Sequence, residues 1–295
     1  SPSDALLFSL ANRNDVDLDY MAKLLGSTPE KVVASLQGKI FKNPVTGAYE
    51  TSDEYLSGNV REKLVHAELE AKHDKSYETN VEALKKVIPE DLVSDEILVN
   101  IGAPWIPVSD YQDFVNYLTG VSSNPAENVK FSPLSGRWEI ISDISSPKFK
   151  VEGIKFRDFL QNIFNSKSIT IYSGTGKDRV VNQELTDAAN LTADEIRREF
   201  SDWLWSNKER EKRLVRYYNE NFNNSVNREY DGSHLIFPGM NGKIHLKPHQ
   251  KNVVWRMLQG MNTLIAHCVG AGKTFEMQAG GMEMRRLGIA KKPMY

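Results

Sequence analysis

The stretch Asp17-Leu-Asp-Tyr-Met-Ala-Lys-Leu-Leu-Gly26-Ser-Thr-Pro-Glu30 contains one short helix and the start of a second. Asp17 or Asp19 can cap the first helix, whose apolar residues recur at helical spacing, and Gly26 can end it. Ser27 or Thr28 can cap the second helix, because a proline in its first turn has a backbone angle that suits that position. The stretch therefore predicts two short helices joined by a tight turn.

A candidate hairpin follows these helices. Residues 40–41 and 48–51 have strand character and flank the turn sequence Asn43-Pro-Val-Thr-Gly47. Helix, tight turn, helix and hairpin form a winged-helix arrangement, so residues 1–60 are expected to be a winged-helix-like domain. In DNA-binding proteins of this kind the second helix enters the major groove. Here that helix offers Lys31, Gln37 and Lys39 but no arginine, which favours a structural or protein-contact role over DNA reading. Lys31 and Lys39 are the candidate DNA contacts.

Residues 61–190 predict a mixed α/β accessory region. Helices are expected at 59–75, 77–87, 109–118 and 154–164, and strands at 97–101, within 128–142 as a hairpin, and at 169–172. Gly174-Thr-Gly176-Lys177-Asp178 superficially matches a phosphate loop, but it follows a weak strand and precedes polar residues, so it predicts a surface turn.

A long helix is expected within residues 191–240. Thr192 and Glu195 match a capping box, and the helix would run toward Phe222 before an irregular linker at 223–242. Its apolar stripe comprises Ile196, Phe200, Trp203, Leu204, Leu214 and Tyr218. Such a stripe favours core packing over base stacking. Its seven basic residues between 197 and 216 leave DNA contact open, with Arg213 and Arg216 as the candidates.

A phosphate-binding loop is the strongest functional signal in the chain. Thr263-Leu-Ile-Ala-His-Cys-Val-Gly270-Ala-Gly272-Lys273-Thr274 places an apolar run, predicted to be a strand, before two glycines, a lysine and a hydroxyl residue. A helix is predicted next, at 275–286. Glycines let backbone N–H groups surround phosphate oxygens, and the N-terminus of the helix adds positive potential. Lys273 would reach the β- and γ-phosphates of ATP, and Thr274 would hold Mg²⁺. Gly270, Ala271 and Gly272 would supply the cradle.

The loop departs from the full pattern, because His267 occupies the position of the first glycine. The predicted strand and helix on either side favour a nucleotide loop over a simple glycine-rich turn. His267 and Cys268 are interpreted as variable loop positions and not as a metal pair or a reactive thiol, so no metal ligands are predicted. Cys268 is the only cysteine, which excludes an internal disulfide and suits a reducing cytoplasm.

Gln250 lies upstream of this loop, at the start of a predicted helix that begins near Pro248. A glutamine amide can accept a hydrogen bond from the amino group of adenine and donate one to a ring nitrogen. Its place before a phosphate loop makes Gln250 a candidate ATP-binding residue.

Gln250 and the loop together resemble the adenine-reading glutamine motif and the first nucleotide motif of superfamily-two helicases. They are most similar to the Snf-type translocases, whose loops also lack the first glycine. Four more stretches are similar to the region before the helicase core in very large phage and mobile-element proteins: Phe41-Lys-Asn-Pro-Val-Thr-Gly, Glu54-Tyr-Leu-Ser-Gly-Asn-Val-Arg-Glu-Lys-Leu, Ile101-Gly-Ala-Pro-Trp-Ile-Pro and Tyr230-Asp-Gly-Ser-His-Leu-Ile-Phe-Pro-Gly-Met.

The resemblance implies a fragment of an ATP-dependent DNA helicase or translocase tied to DNA modification or anti-restriction. In that family the helicase is often fused to an adenine-specific DNA methyltransferase, whose Asn/Asp-Pro-Pro-aromatic motif this sequence lacks. The expected fold is α+β, with residues 241–295 as the incomplete beginning of a RecA-like domain. The expected partners are duplex DNA, the remainder of the helicase core and such a methyltransferase; the expected cofactors are ATP and Mg²⁺.

Phosphoryl transfer needs an acidic Walker-B pair and an arginine finger. We identify neither in the sequence, and only 21 residues follow Thr274. The chain alone is therefore expected to lack ATPase activity, and its first residues are expected to be a cut inside a longer protein. The loop segment and its helix are expected to pack on residues 190–260 or else to be poorly ordered.

Composition describes an ordinary water-soluble chain of 295 residues, 40% hydrophobic and 26% charged. No apolar run approaches the roughly 20 residues of a membrane span, so a cytoplasmic protein is expected. The net charge of −2 is unevenly distributed, because residues 234–295 contain nine Lys or Arg and two Asp or Glu, a net +7. A basic C-terminal segment suits phosphates of nucleotide or DNA.

Two other interpretations stay open. The first 240 residues could be a non-catalytic DNA-binding or docking scaffold of a methyltransferase–helicase polyprotein. Less favoured is a nucleotide-binding protein unrelated to helicases.

Overall fold

The computed structural model describes residues 1–120, 128–174, 178–260 and 262–294. The fold is mixed α+β, as predicted, and divides into two compact units. Residues 1–90 and 222–295 form unit 1, and residues 91–221 form unit 2. The domain boundaries predicted at residues 60, 190 and 240 stay a prediction.

The elements follow in chain order. The N-terminal part of unit 1 contains α1 Pro2–Arg13, α2 Leu18–Leu25, α3 Pro29–Ser35, β1 Ile40–Lys42, β2 Tyr49–Thr51, α4 Ser52–Tyr55, β3 Gly58–Asn59, α5 Val60–Ala71 and α6 Glu78–Val87. Unit 2 contains α7 Val108–Thr119, β4 Val129–Ser132, β5 Arg137–Ile140, α8 Phe156–Phe164, β6 Tyr172–Ser173, β7 Val180–Val181, α9 Gln183–Ser206 and α10 Lys208–Phe222, which ends at the unit boundary. The C-terminal part of unit 1 adds β8 Ser225–Val226, α11 Pro248–Gln259 and α12 Lys273–Arg286.

The winged-helix prediction is confirmed for the first elements. Asp17 caps α2 by accepting a hydrogen bond from the Tyr20 backbone N–H at 2.9 Å, and Gly26 ends it with a φ of +59°. Strands β1 and β2 pair antiparallel, with Phe41 opposite Glu50. Helices α1 to α3 share one apolar cluster with the hairpin, so the helices and the wing form one small domain.

Helix α1 was not anticipated from the sequence. Ser1 caps it through a capping box with Asp4, Pro2 lies in its first turn, and Leu6 and Leu7 are buried. The signal was present, because Ser-Pro-Ser-Asp matches a helix start. The helices predicted at 59–75 and 77–87 are confirmed as α5 and α6, with α5 ending at Ala71 instead of continuing to residue 75.

Unit 2 is built on an aromatic core. The ring of Tyr111 on α7 stacks on Phe200 of α9, with centroids 5.3 Å apart, and meets Trp138 of β5 edge-on at 4.5 Å. The predicted hairpin is confirmed, with Phe131 opposite Trp138. The predicted helices at 109–118 and 154–164 are confirmed as α7 and α8.

One strand prediction in unit 2 was wrong, and a second was confirmed only at its last residue. Residues 97–101 are irregular, although Ile97 and Ile101 are buried, because apolar side chains can reach the core without a strand partner. In the segment 169–172 only Tyr172 belongs to a strand, and the Ile171 N–H donates instead to Thr186 Oγ1 at 3.0 Å. The predicted surface turn at 174–178 lies largely outside the described residues, which omit 175–177.

The long helix is two helices. Asn182 caps α9 by accepting from the Leu185 N–H at 3.1 Å, so the helix begins nine residues before the predicted cap at Thr192. Thr192 lies inside α9, where its hydroxyl donates to the Ala188 carbonyl. Asn207 interrupts the run in an extended conformation and caps α10 through the N–H groups of Glu209 and Arg210. Four members of the predicted apolar stripe are fully buried, which confirms core packing: Ile196, Phe200, Leu204 and Leu214.

Among the residues that the structure describes, no helix combines the length and the apolar character needed to cross a membrane.

Candidate functional site

Helices α11 and α12 frame the predicted phosphate loop. They approach closely at Gly280, where an added Cβ would lie 2.6 Å from Met257 Cε. Val254, Trp255 and Leu258 of α11 are buried in a cluster that also contains Leu7 of α1. The expectation that the helix after the loop packs on residues 190–260 is therefore confirmed, since α12 contacts α11.

The strand predicted at 264–266 was wrong. The segment from 262 to 268 is irregular, and the Leu264 side chain is 82% exposed. A strand at the start of a nucleotide domain is buried between parallel neighbours that bond its backbone. No strand in the described part of the chain pairs with this segment, so its backbone makes no strand-to-strand hydrogen bonds there.

The loop itself adopts a glycine-dependent conformation. Gly270 has a φ of +87° and Gly272 a φ of +92°, both in the left-handed region that disfavours side chains. Gly272 precedes the first residue of α12, and a Cβ at this position would lie 2.3 Å from Gln250 Nε2. The backbone conformation therefore favours glycine at both positions. At Gly272 the close approach of Gln250 also leaves no room for a side chain.

Lys273 folds back over the loop. Its Nζ donates to the carbonyl oxygens of His267 at 2.9 Å and Cys268 at 3.0 Å. Both acceptors are neutral, so the ammonium charge is not cancelled and can still attract an anion. The side chain lies at the N-terminus of α12, where unpaired backbone N–H groups add positive potential. Thr274 is exposed in the first turn of the same helix.

The Gln250 side chain is hydrogen-bonded to the loop backbone. Its Nε2 donates to the Ala271 carbonyl at 3.0 Å, and its Oε1 accepts from the Lys247 N–H at 2.9 Å. The residue is only 6% exposed. In this arrangement Gln250 links the start of α11 to the phosphate loop, and its predicted role in reading adenine stays a prediction.

Three residues of metal-binding types, two histidines and one glutamate, converge beside the loop. His267 Nδ1 lies 2.9 Å from Glu276 Oε1, and His249 Nε2 lies 3.9 Å from the same oxygen and 3.1 Å from the Ala271 carbonyl. The Glu276 carboxylate is fully buried. His267 was predicted to be a variable loop position, and neither His249 nor Glu276 was predicted to belong to a site, because the three come together only through the packing of α11 on α12.

The candidate DNA contacts on the winged helix differ in their surroundings. Lys31 is exposed on α3. Lys39 donates to the Ser3 hydroxyl at 3.3 Å and so contacts α1. Lys39 also borders a cavity of about 320 Å³ that is lined by Asp53, His234 and Trp255 among others. Burial, with a smaller effect of Lys39, lowers the pKa of His234 below its ordinary value.

The candidate DNA contacts of unit 2 are engaged within that unit. The Arg213 guanidinium lies 2.7 and 2.9 Å from the two carboxylate oxygens of Asp110, which is 5% exposed. Arg216 Nε lies 2.7 Å from Glu220. A role for either arginine in DNA binding stays a prediction.

Comparisons with known proteins agree with the N-terminal fold. Residues 1–50 match a family model described as "Probable helicase, winged helix domain", which covers α1 to β1 and the start of β2. Residues 100–224 match a domain of unknown function (DUF8437), which covers most of unit 2. Comparisons with curated proteins and with solved structures found no match. The fold and the match together define a helicase-associated winged-helix domain at the N-terminus of the chain.

Proposed function

We propose that this chain is part of an ATP-dependent DNA helicase or translocase of the superfamily-two, Snf-like type. In this proposal residues 241–295 begin a RecA-like domain and hold ATP·Mg²⁺ through Gln250, Gly270, Ala271, Gly272, Lys273 and Thr274. The observation that carries the proposal is the position of Lys273, whose ammonium group lies over the loop carbonyls at the N-terminus of α12. The helicase-type winged helix in the same chain supports the class.

Each residue of the loop has a chemical role in this proposal. The first backbone N–H groups of α12 lack partners within the helix and can donate to phosphate oxygens. Lys273 would move from the carbonyls of His267 and Cys268 to the β- and γ-phosphates. The Thr274 hydroxyl would ligate Mg²⁺, which neutralises phosphate charge when bound.

We propose nucleotide binding without hydrolysis for this polypeptide, because we identify no Walker-B acidic pair in its sequence. Hydrolysis would need such a pair from the rest of the helicase core. The resemblance to phage and mobile-element proteins further suggests a role with DNA modification or anti-restriction, beside an adenine-specific methyltransferase.

Nucleotide binding is tested by equilibrium titration of the purified chain with Mg·ATP. Lys273→Ala should weaken binding strongly, because it removes the charge that faces the phosphates. Lys243→Ala removes an exposed lysine of the same basic segment and is the matched control. Equal affinity in the wild type and Lys273→Ala would contradict the proposal.

The winged helix supplies the DNA-binding part of the proposal. Lys31 on α3 is exposed and lies on the helix that enters the major groove in DNA-binding members of this fold. Contacts to phosphates would make the affinity fall with salt, by close to one unit of logarithmic slope for each contact. Lys31→Ala should therefore lower both the affinity for a short duplex and the salt slope in fluorescence anisotropy. Lys23→Ala on α2 is the control.

A non-catalytic docking scaffold is the second candidate function. Arg213 and Arg216 are paired with carboxylates inside unit 2, and α3 contains no arginine. A duplex affinity that is unchanged in Lys31→Ala would favour the scaffold.

A further inference from the structure

We propose that His249, His267 and Glu276 form a binding site for one divalent transition-metal ion, for which Zn²⁺ is the best match. The three residues come from three different segments, since His249 lies on α11, His267 in the phosphate loop and Glu276 on α12. A bound ion would join these segments. This inference does not depend on the proposed nucleotide function, because none of the three side chains is assigned a contact with ATP.

The spacing of the donor atoms suits a small coordination shell. One atom from each residue lies within 4.8 Å of the other two, and the closest pair, His267 Nδ1 and Glu276 Oε1, is 2.9 Å apart. Zinc–nitrogen and zinc–oxygen bonds of about 2.0–2.2 Å place tetrahedral ligands roughly 3.3 Å apart. The distances of 2.9 and 3.9 Å to Glu276 Oε1 lie on either side of that value. Binding the ion would exchange the contact of His249 Nε2 with the Ala271 carbonyl for a bond to the metal, and Gln250 Nε2 would still donate to that carbonyl.

The carboxylate supplies an independent reason to expect a cation. Glu276 is fully buried, yet its Oε2 makes no hydrogen bond with any described residue. Buried charged groups are normally paired and hydrogen-bonded or bound to metal, because desolvation is otherwise costly. His267 satisfies only Oε1. A metal ion would compensate the negative charge of the Glu276 carboxylate, which the imidazole of His267 pairs only at Oε1.

The ligand types select the class of ion. Two imidazoles and one carboxylate suit Zn²⁺ and its transition-metal neighbours, whereas Mg²⁺ and Ca²⁺ prefer shells made of oxygen. The two histidines are 42% and 31% exposed and border an open cleft of about 440 Å³, so the ion has an entry route and room for a water as fourth ligand. The same ion would restrain the backbone of His267, whose carbonyl holds Lys273.

The test is a zinc titration of the full chain after removal of bound metal, with a chromophoric chelator as competitor. One equivalent of Zn²⁺ should bind, and the melting temperature should rise because folding brings the three ligands together, so that the ion binds the folded chain more tightly than the unfolded one. His249→Ala, His267→Ala and Glu276→Gln should each weaken binding by about tenfold or more. The two histidine variants keep the test valid even if the buried Glu276→Gln variant does not fold.

Three control variants separate this site from zinc binding elsewhere on the chain and from the phosphate loop. His73→Ala removes an exposed histidine of unit 1, and Cys268→Ser removes the neighbouring thiol; both should bind zinc as the wild type does. Lys273→Ala should also retain zinc affinity, so failure of the zinc site and failure of nucleotide binding are distinguishable. Absence of stoichiometric binding, wild-type affinity in both histidine variants, or loss of binding in Cys268→Ser would overturn the proposal.

Discussion

At Gly272 two constraints coincide, a φ of +92° and the approach of Gln250 Nε2 to within 2.3 Å of a hypothetical Cβ. Gly270 has a similar φ of +87° but no atom within 4 Å of its hypothetical Cβ. Gly270→Ala should therefore cost only the strain of the left-handed backbone, roughly 1–2 kcal/mol. Gly272→Ala should cost more, because the alanine also displaces Gln250.

The clash at Gly272 predicts a coupling that can be measured. In urea unfolding, Gln250→Ala should cost less free energy in the Gly272→Ala background than in the wild type, because there the truncation also removes the side chain that clashes with the alanine. Strict additivity of the two substitutions would show that Gln250 does not limit position 272. The glycines of the loop were predictable from their motif, but the contact with Gln250 was not, since the sequence pointed that amide toward adenine.

His234 provides a pH-dependent contribution to stability. Burial lowers its pKa in the folded chain below the ordinary 6.5, so the unfolded chain binds the proton more tightly. The contribution of His234 to stability is complete above pH 6.5 and is lost as the pH falls toward the pKa of His234 in the folded chain. The free energy of unfolding should therefore decrease between pH 7 and pH 5, and His234→Gln should reduce this slope.

The control for His234 is His73→Gln, which changes an exposed histidine of the same unit and should keep the wild-type slope. An unchanged slope in His234→Gln would show that other groups cause the acid sensitivity.

At the scale of elements, the start of α9 gives the clearest difference between sequence and structure. Thr192 and Glu195 match a capping box, but the buried stripe continues upstream through Thr186 and Ala189, so the helix does not start there. A capping pattern can occur by chance inside a helix. Only the spacing of the buried residues shows which of the candidate caps lies at the start of the helix. The winged helix was predictable because the helix caps, the glycine that ends α2 and the turn of the hairpin all indicated the same arrangement.

Asn182→Ala should destabilise the chain by about 1 kcal/mol, because it removes the side-chain acceptor at the start of α9. Thr192→Ala, in the helix interior, should be within about 0.5 kcal/mol of wild type. Chemical denaturation of both variants checks this, and a larger loss in Thr192→Ala would contradict the assigned helix start.

Unit 1 is discontinuous in sequence, which the sequence did not predict. Arg228 lies 2.8 Å from Asp53 across 175 residues, and Leu7 packs in one cluster with Val254 and Trp255. Local patterns predict helices and turns, but they do not specify which distant segments meet. The winged helix and the predicted phosphate loop are consequently parts of one compact unit.

Lys273 and its loop are proposed to bind the phosphates of a nucleotide. The most direct measurement compares the affinities of adenosine, ADP and Mg·ATP for the wild type and for Lys273→Ala. The affinity of the wild type should rise with the number of phosphates, and Lys273→Ala should lose most of that rise while binding adenosine as before. An affinity that does not depend on phosphate number, or an equal rise in both proteins, would contradict phosphate binding by this loop.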